Sequence, residues 1–113
     1  MSDLDKITQQ LIKFRDEREW AQFHDSKNLA LALLLEASEL NELFLWKQSE
    51  EQVESVDKQR LAEELADVMA YALLLAEKHN LDITTILEEK IQQNQQKYPV
   101  DKAKGSSKKY NEL

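Results

Sequence analysis

The chain has no cysteine, one glycine and one proline among its 113 residues. The absence of cysteine excludes disulfide bonds and thiol chemistry. With so little glycine and proline, few positions interrupt a helix, and the remaining composition is rich in leucine, alanine, glutamate, lysine and glutamine. These are strong helix formers, so the composition indicates an all-α protein.

Positive charge and long apolar runs are also scarce. The chain has 15 lysines and arginines and 22 aspartates and glutamates, which gives a formal net charge of -7. A nucleic-acid polymer is therefore not an expected partner. The longest apolar runs, residues 29–35 and 68–76, are too short to span a bilayer, and no signal peptide is recognisable. We therefore expect a soluble, cytoplasmic protein with one domain and a modest core.

Two apolar segments each carry a pair of carboxylates three residues apart. Glu36 and Glu39 lie within residues 29–47, and Glu64 and Asp67 lie within residues 59–78. Residues at this spacing lie on neighbouring faces of a helix, so both members of a pair point the same way. Chance alone gives about four such acid pairs in a chain of this composition. The apolar surroundings of these two pairs are what predicts that their carboxylates are partly buried.

Four partly buried carboxylates need a compensating cation, because each uncompensated charge costs several kcal/mol. An all-oxygen ligand set favours a hard ion, Mg²⁺ first and Mn²⁺ next. The sequence therefore predicts a metal site at Glu36, Glu39, Glu64 and Asp67. Glu42 extends the first row, either near the site or as a solvated acid. The alternative is that both pairs lie at the solvated rim of a helical bundle.

The order Glu-x-x-Glu, 24 intervening residues and Glu-x-x-Asp resembles the all-α NTP pyrophosphohydrolases, the MazG-like group that includes the dCTP pyrophosphatases. Four blocks resemble those of the family in the same order: RDEREWAQFH at 15–24, LLLEASELNELFLWK at 33–47, EELADVMAY at 63–71 and KIQQNQQKYP at 90–99. One departure is Leu35, where many members have a second glutamate before Glu36. The four expected ligands are all in place.

The resemblance implies an antiparallel four-helix bundle whose second and third helices form the metal site and much of a dimer interface. Leucine and alanine surround both of these helices, which also predicts a homodimer or homotetramer. The expected domain covers residues 1–99, followed by a flexible polar tail at 100–113. Four helices are expected. The first starts at a Ser2 or Asp3 cap and ends near Ala21, and the second starts at an Asp25 or Ser26 cap and ends near Gln48. The third and fourth run over 58–79 and 83–97, and a mobile loop is expected at 49–57.

Candidate base-binding residues are the aromatic and polar side chains near the first two helix ends. Trp20 and His24 resemble the wall that stacks on the nucleobase in the family, whereas Trp20 could instead cap the core. Trp46 is either a second wall of the base pocket or part of the dimer interface. Tyr71 lies on the same face as Asp67, and the resemblance favours a contact with the substrate over a bond to another helix.

Lys90, Asn94 and Tyr98 recur every fourth residue on the last long helix, so they lie on one side of it. The pattern alone describes an ordinary solvated face, but the resemblance implies phosphate and nucleotide contacts for the lysine and the asparagine. Additional candidate substrate-binding residues are Lys97 and Lys27 for phosphate charge and Asn28 for base discrimination.

The expected activity is Mg²⁺-dependent hydrolysis of a nucleoside triphosphate to the monophosphate and pyrophosphate, for nucleotide-pool sanitation. A carboxylate, Glu39 as the first choice, would activate the attacking water. The resemblance makes dCTP or a 5-modified dCTP the leading substrate, with modified purine nucleotides as another option. Two alternatives stay open: a dUTPase or phosphoribosyl-ATP pyrophosphohydrolase of the same superfamily, and a non-catalytic helical interaction or regulatory dimer.

Overall fold

The computed structural model describes residues 1–113, which form helices and no strands. The predicted all-α class is thereby confirmed. Two 3-10 turns, Ala21–Phe23 and Tyr110–Glu112, accompany the helices. The six helices are α1 (Asp3–Glu17), α2 (Ser26–Glu42), α3 (Glu50–Glu54), α4 (Lys58–Lys78), α5 (Ile83–Lys97) and α6 (Val100–Ala103). The four-helix arrangement and its dimer interface stay predictions.

The helices start at residues whose side chains accept hydrogen bonds from free backbone amides. Ser2 forms a reciprocal pair with Asp5: its hydroxyl accepts from the Asp5 amide at 3.1 Å, and the Asp5 carboxylate accepts from the Ser2 amide at 3.0 Å. Asp25, Asp57 and Asp82 cap α2, α4 and α5 in the same way. Such caps each contribute about 1 kcal/mol. The predicted starts at Ser2, Asp25 and Asp82 are confirmed.

The first two helices end earlier than the sequence predicts. Helix α1 ends at Glu17 instead of near Ala21, and Glu19 follows with a φ of 56°. Helix α2 ends at Glu42 instead of near Gln48, and Trp46 has a φ of 66°. A residue in the left-handed region cannot continue a right-handed helix, and the α2 end tightens into i→i+3 hydrogen bonds. The segment 49–57, predicted to be a loop, contains the short helix α3. The loop prediction is therefore wrong for residues 50–54.

The core of residues 1–80 forms where α2 runs antiparallel to α4. Ser26 at the start of α2 lies 2.7 Å from the ring of His79 at the end of α4. The side chains that are most deeply buried are close to this end: Leu29, Leu73, Leu74 and Ala76. Full burial of a leucine side chain stabilises a fold by about 1.5–3 kcal/mol, so this cluster holds the helix pair together. Helix α1 joins α4 through Arg15, which lies 3.6 Å from Glu77.

Five large apolar side chains on the same two helices face solvent. They are Leu31, Leu34 and Leu35 of α2 and Leu65 and Met69 of α4, with exposed fractions of 43–61%. We call this set the exposed apolar face. Apolar surface of this kind is what remains when a helix is apolar all round and only one side of it is packed.

Residues 81–113 form a second compact unit that contains α5 and α6. Near its end, Tyr110 meets the ring of Tyr98 edge-on at 6.2 Å, and the Lys97 ammonium lies 4.9 Å from the Tyr110 ring centroid. Pro99 is the N-cap of α6, where its missing amide hydrogen costs no helical hydrogen bond. The division into a domain of residues 1–99 and a flexible tail stays a prediction. No helix is both long enough and apolar enough to cross a membrane.

Candidate metal and nucleotide site

The antiparallel pairing of α2 and α4 brings the two predicted acid pairs together. Carboxylate oxygens of Glu36, Glu64 and Asp67 all lie within 4.8 Å of one another. Glu39, one turn after Glu36 on α2, interacts with the carboxylates of both Glu36 and Glu64. The structure therefore brings the four predicted side chains into one acidic cluster. Glu36 and Glu64 are partly buried, as predicted, whereas Glu39 and Asp67 are exposed, so the predicted burial is wrong for one member of each pair. The roles of all four residues as ligands stay predictions.

The charges of the acidic cluster act on one another. Burial, the Glu39 carboxyl and then the charges of Asp67 and Glu64 raise the pKa of Glu36 to about 6. Burial and the Glu39 carboxyl also raise the pKa of Glu64, against the opposing charge of Arg60. Partly desolvated like charges always shift pKa values in this direction, because each favours the neutral form of its neighbour.

Two carboxylate oxygens of the acidic cluster, Oε2 of Glu36 and Oε2 of Glu64, are buried and have no hydrogen-bond partner. Buried polar atoms are almost always paired, so two orphaned carboxylate oxygens in one place indicate a missing partner of opposite charge. A hard divalent cation fits this donor set, which offers oxygens only and several negative charges.

A cavity of about 260 Å³ adjoins the acidic cluster, because Asp67 also lines it. We call it the aromatic cavity. Trp20 meets Phe14 edge-to-face with centroids 5.6 Å apart, and His24 meets Tyr71 at 6.5 Å. Trp20 is 43% exposed, so part of its ring is available to a ligand. Offset and edge-on aromatic walls of this kind suit a flat heterocycle.

Two polar side chains of the aromatic cavity are held in their neutral forms. Burial, followed by the charges of Glu36 and Asp67, raises the pKa of Tyr71, so its hydroxyl keeps its proton. Burial, followed by the positive charges of Arg15 and Lys78, lowers the pKa of His24. Its Nδ1 atom is buried without a partner. The cavity thus offers a phenol donor and a neutral imidazole to a ligand.

Three predicted substrate-binding residues of the first unit do not line the aromatic cavity. Asn28 contributes to the start of α2: its side-chain amide donates to the Phe23 carbonyl at 3.0 Å. Lys27 is exposed, and Trp46 is 84% exposed. The four candidates of α5 and its end belong to the second unit: Lys90, Asn94, Lys97 and Tyr98. All these assignments stay predictions.

Five residues that line the aromatic cavity are absent from the predicted site: Leu11, Phe14, Arg15, Ala70 and Leu74. Phe14 forms an apolar stripe on α1 together with Leu4, Ile7 and Leu11, and such a stripe indicates packing. Arg15 follows it directly and is four residues from Leu11, so it borders the same stripe. Its Nε donates to Asp16 at 2.8 Å, and its side chain is only 17% exposed. An arginine at the edge of an apolar stripe is the one signal that pointed to this position.

Fold and site together define an all-α protein in which two paired helices share a cluster of four carboxylates beside an aromatic cavity. A profile described as the MazG-like family matches residues 31–113. The chain belongs to this family, as its motifs predicted.

Similar proteins agree with this assignment. The dCTP pyrophosphatase 1 of Homo sapiens is 39% identical over 114 residues, which cover 97% of this chain and 67% of that protein. The dCTP pyrophosphatase 1 of Bos taurus is 38% identical, over 97% of this chain and 68% of that protein. A solved pyrophosphatase from Archaeoglobus fulgidus DSM 4304 has a TM-score of 0.81 and 33% identity, covering 88% of this chain and 94% of that one.

Proposed function

We propose that this protein is a Mg²⁺-dependent nucleoside triphosphate pyrophosphohydrolase that converts dCTP, or a related non-canonical dNTP, to the monophosphate and pyrophosphate. The observation that carries the proposal is the shared position of Asp67, which belongs both to the acidic cluster and to the aromatic cavity. A ligand with a flat ring in the cavity therefore has its attached chain beside the carboxylates. A nucleotide has this arrangement of ring and charge.

Glu36, Glu39, Glu64 and Asp67 are the residues that would hold Mg²⁺. When bound, the ion would neutralise phosphate charge that the carboxylates would otherwise repel, and it would lower the pKa of the attacking water. Glu39 is our candidate to accept the proton of the attacking water. The water oxygen bonds to the α-phosphorus, the bond from that phosphorus to the bridging oxygen breaks, and pyrophosphate leaves with the electron pair.

The organic half of the substrate is assigned to the aromatic cavity. Trp20 stacks on the base, and the neutral His24 contacts its polar edge. The Tyr71 hydroxyl donates to a sugar or phosphate oxygen. Lys90, Asn94, Lys97 and Tyr98 of the second unit are proposed phosphate and nucleotide contacts. Lys27 is a weaker phosphate candidate, and Asn28 a base contact whose side-chain oxygen is still available.

The exposed apolar face supports a homodimer, or a tetramer made of two dimers. Exposed leucines concentrated on the two helices that carry the acids fit an obligate interface, which resembles a core cut in half. Trp46 is highly exposed in a left-handed backbone conformation, which costs of order 1 kcal/mol. We assign Trp46 to this interface or to a second wall of the base pocket. The place of action is the cytoplasmic nucleotide pool.

The test is a panel of canonical and modified NTPs and dNTPs, with dUTP and phosphoribosyl-ATP included, incubated with Mg²⁺ or with EDTA. We expect dCTP or a 5-modified dCTP to give monophosphate and pyrophosphate, and EDTA to abolish the products. Preferential turnover of dUTP or phosphoribosyl-ATP would move the assignment to that member of the superfamily. No turnover of any substrate by folded protein in Mg²⁺ would overturn the proposal in favour of a non-catalytic dimer.

A further inference from the structure

A second cavity, of about 340 Å³, adjoins the aromatic cavity, and five of its eight lining residues are polar. We call it the polar cavity. Its own residues include Glu77, Lys78 and Asn80 from the end of α4. It shares Arg15, His24 and Leu74 with the aromatic cavity, and no member of the acidic cluster lines it. The sequence interpretation gave no function to any of the three α4 residues.

Two cationic side chains line the polar cavity in a chain of net charge -7. Arg15 and Lys78 bring two positive charges, and Glu77 brings one negative charge. The pairing of Glu77 with Arg15 is long, at 3.6 Å, while the Arg15 Nε is already bonded to Asp16. Lys78 forms no ion pair. With Asp16 counted, two carboxylates balance the two cations, but both carboxylates lie on Arg15, so the Lys78 ammonium has no ion-pair partner.

The position of His24 indicates that both positive charges act at the wall between the two cavities. Arg15 and Lys78 both contribute to the lowered pKa of His24, after burial. The Nδ1 atom of this ring is buried and has no partner. Asn80, with a φ of 54°, ends α4 in a left-handed conformation and adds an amide to the lining. A cavity with an unpaired ammonium and unpaired polar groups is a ready site for a small anion.

We infer that the polar cavity binds a small oxyanion of the phosphate class, held by the Lys78 ammonium and the Arg15 guanidinium. A tetrahedral oxyanion has enough acceptors to pair with the lysine, the arginine and the Asn80 amide at once. The nearby Glu77 carboxylate weakens the site without cancelling it. Because Arg15 and His24 line both cavities, an anion here changes the wall that a ligand of the aromatic cavity touches, and the coupling is reciprocal. This inference does not depend on the proposed reaction.

The experiment is a titration of the full chain with inorganic phosphate in EDTA at constant ionic strength, followed by NMR of the ¹⁵N-labelled histidine rings. EDTA matters because the metal-free acidic cluster repels phosphate, which leaves the polar cavity as the attractive site. There are only two histidines, and a His79→Gln variant identifies the His24 signals. We expect a saturable shift of the His24 signals, with a dissociation constant on the order of 1–10 mM.

Two variants at the cavity and one control localise the site. Lys78→Gln removes an exposed ammonium and should weaken phosphate binding about tenfold, which is about 1.4 kcal/mol. Asn80→Gly keeps the left-handed backbone, which glycine adopts freely, while removing the amide, so it should also weaken binding. Lys13→Gln removes an exposed charge that lines neither cavity and should leave the curve unchanged. A linear, unsaturated shift of the His24 signals would overturn the inference. Unchanged phosphate binding by Lys78→Gln, or equal losses of binding in Lys78→Gln and Lys13→Gln, would also overturn it.

Discussion

Glu36 of α2 and Asp67 of α4 present carboxylate oxygens that lie within 4.8 Å of each other, although they come from different helices. Only the antiparallel pairing of these helices makes the contact, and the contact opposes the pairing because like charges repel. The packing around Leu29 and Leu73 at the other end of the pair offsets this repulsion. The acidic cluster is therefore a strained element of the metal-free fold, and this has measurable consequences.

The first prediction concerns the pH dependence of the metal-free protein. The pKa of Glu36 is raised from 4.5 to about 6 in the folded chain, so the folded form binds this proton more tightly than the unfolded form. The resulting destabilisation is complete above pH 6 and disappears as the pH falls below 4.5. At about 1.4 kcal/mol per pKa unit it amounts to at most about 2 kcal/mol.

Glu36→Gln isolates this effect, since glutamine has no proton to exchange. In EDTA the variant should melt higher than the parent at pH 7.5, and the difference should shrink towards zero by pH 4.5. The comparison is needed because His24 acts in the opposite direction: its lowered pKa costs stability as the pH falls below the usual histidine range. A difference in melting temperature that stays constant across this range would show that Glu36 does not carry the shifted proton.

The second prediction separates Glu39 from its neighbour Glu42. Glu39→Gln should reduce kcat by at least about 100-fold, the usual effect of a lost proton acceptor, while leaving the oligomer intact. It should also raise the melting temperature in EDTA by removing one charge from the acidic cluster. Glu42, one turn further along α2, is exposed, so Glu42→Gln is the matched control. It should leave kcat and the melting temperature unchanged. Equal losses of activity in the two variants would refute a specific role for Glu39.

The sequence was informative wherever a local pattern determines structure. Aspartate and serine caps located the helix starts, and apolar surroundings selected Glu36, Glu39, Glu64 and Asp67 from the other acid pairs. The early end of α2 was not predictable, because Trp46 adopts a left-handed φ that tryptophan rarely takes. Arg15 was missed for a different reason: its place beside both cavities depends on the packing of α1 against α4, and neither spacing nor composition reports that packing.

The third prediction tests the aromatic cavity as the base site. Trp20→Leu should raise the KM for the preferred nucleotide about 5- to 150-fold, which corresponds to about 1–3 kcal/mol of lost stacking. Its effect on kcat should be small, since Trp20 is not part of the acidic cluster. Phe23→Leu is the control, because Phe23 is an exposed aromatic residue in the same segment that does not line the cavity. An unchanged KM in Trp20→Leu, with the fold intact, would place the base elsewhere.

The fourth prediction tests the exposed apolar face as an interface between copies of the chain. Leu34 is 61% exposed in the middle of α2, so Leu34→Glu puts a charge on this face without disturbing the buried leucines. Burying that charge between two subunits would cost several kcal/mol, which is enough to dissociate a dimer at micromolar concentration. Light scattering coupled to size-exclusion chromatography should show an oligomer for the parent and a monomer for Leu34→Glu.

Ile7→Glu introduces the same charge at an apolar residue of α1 that is 46% exposed and lies outside this face. This variant should have the same oligomeric mass in solution as the parent. That result separates a specific interface from a general effect of added charge. If Leu34→Glu keeps the oligomer, the leucines of α2 do not form the interface. If both variants dissociate, the interface extends to α1, and the exposed apolar face is only part of it.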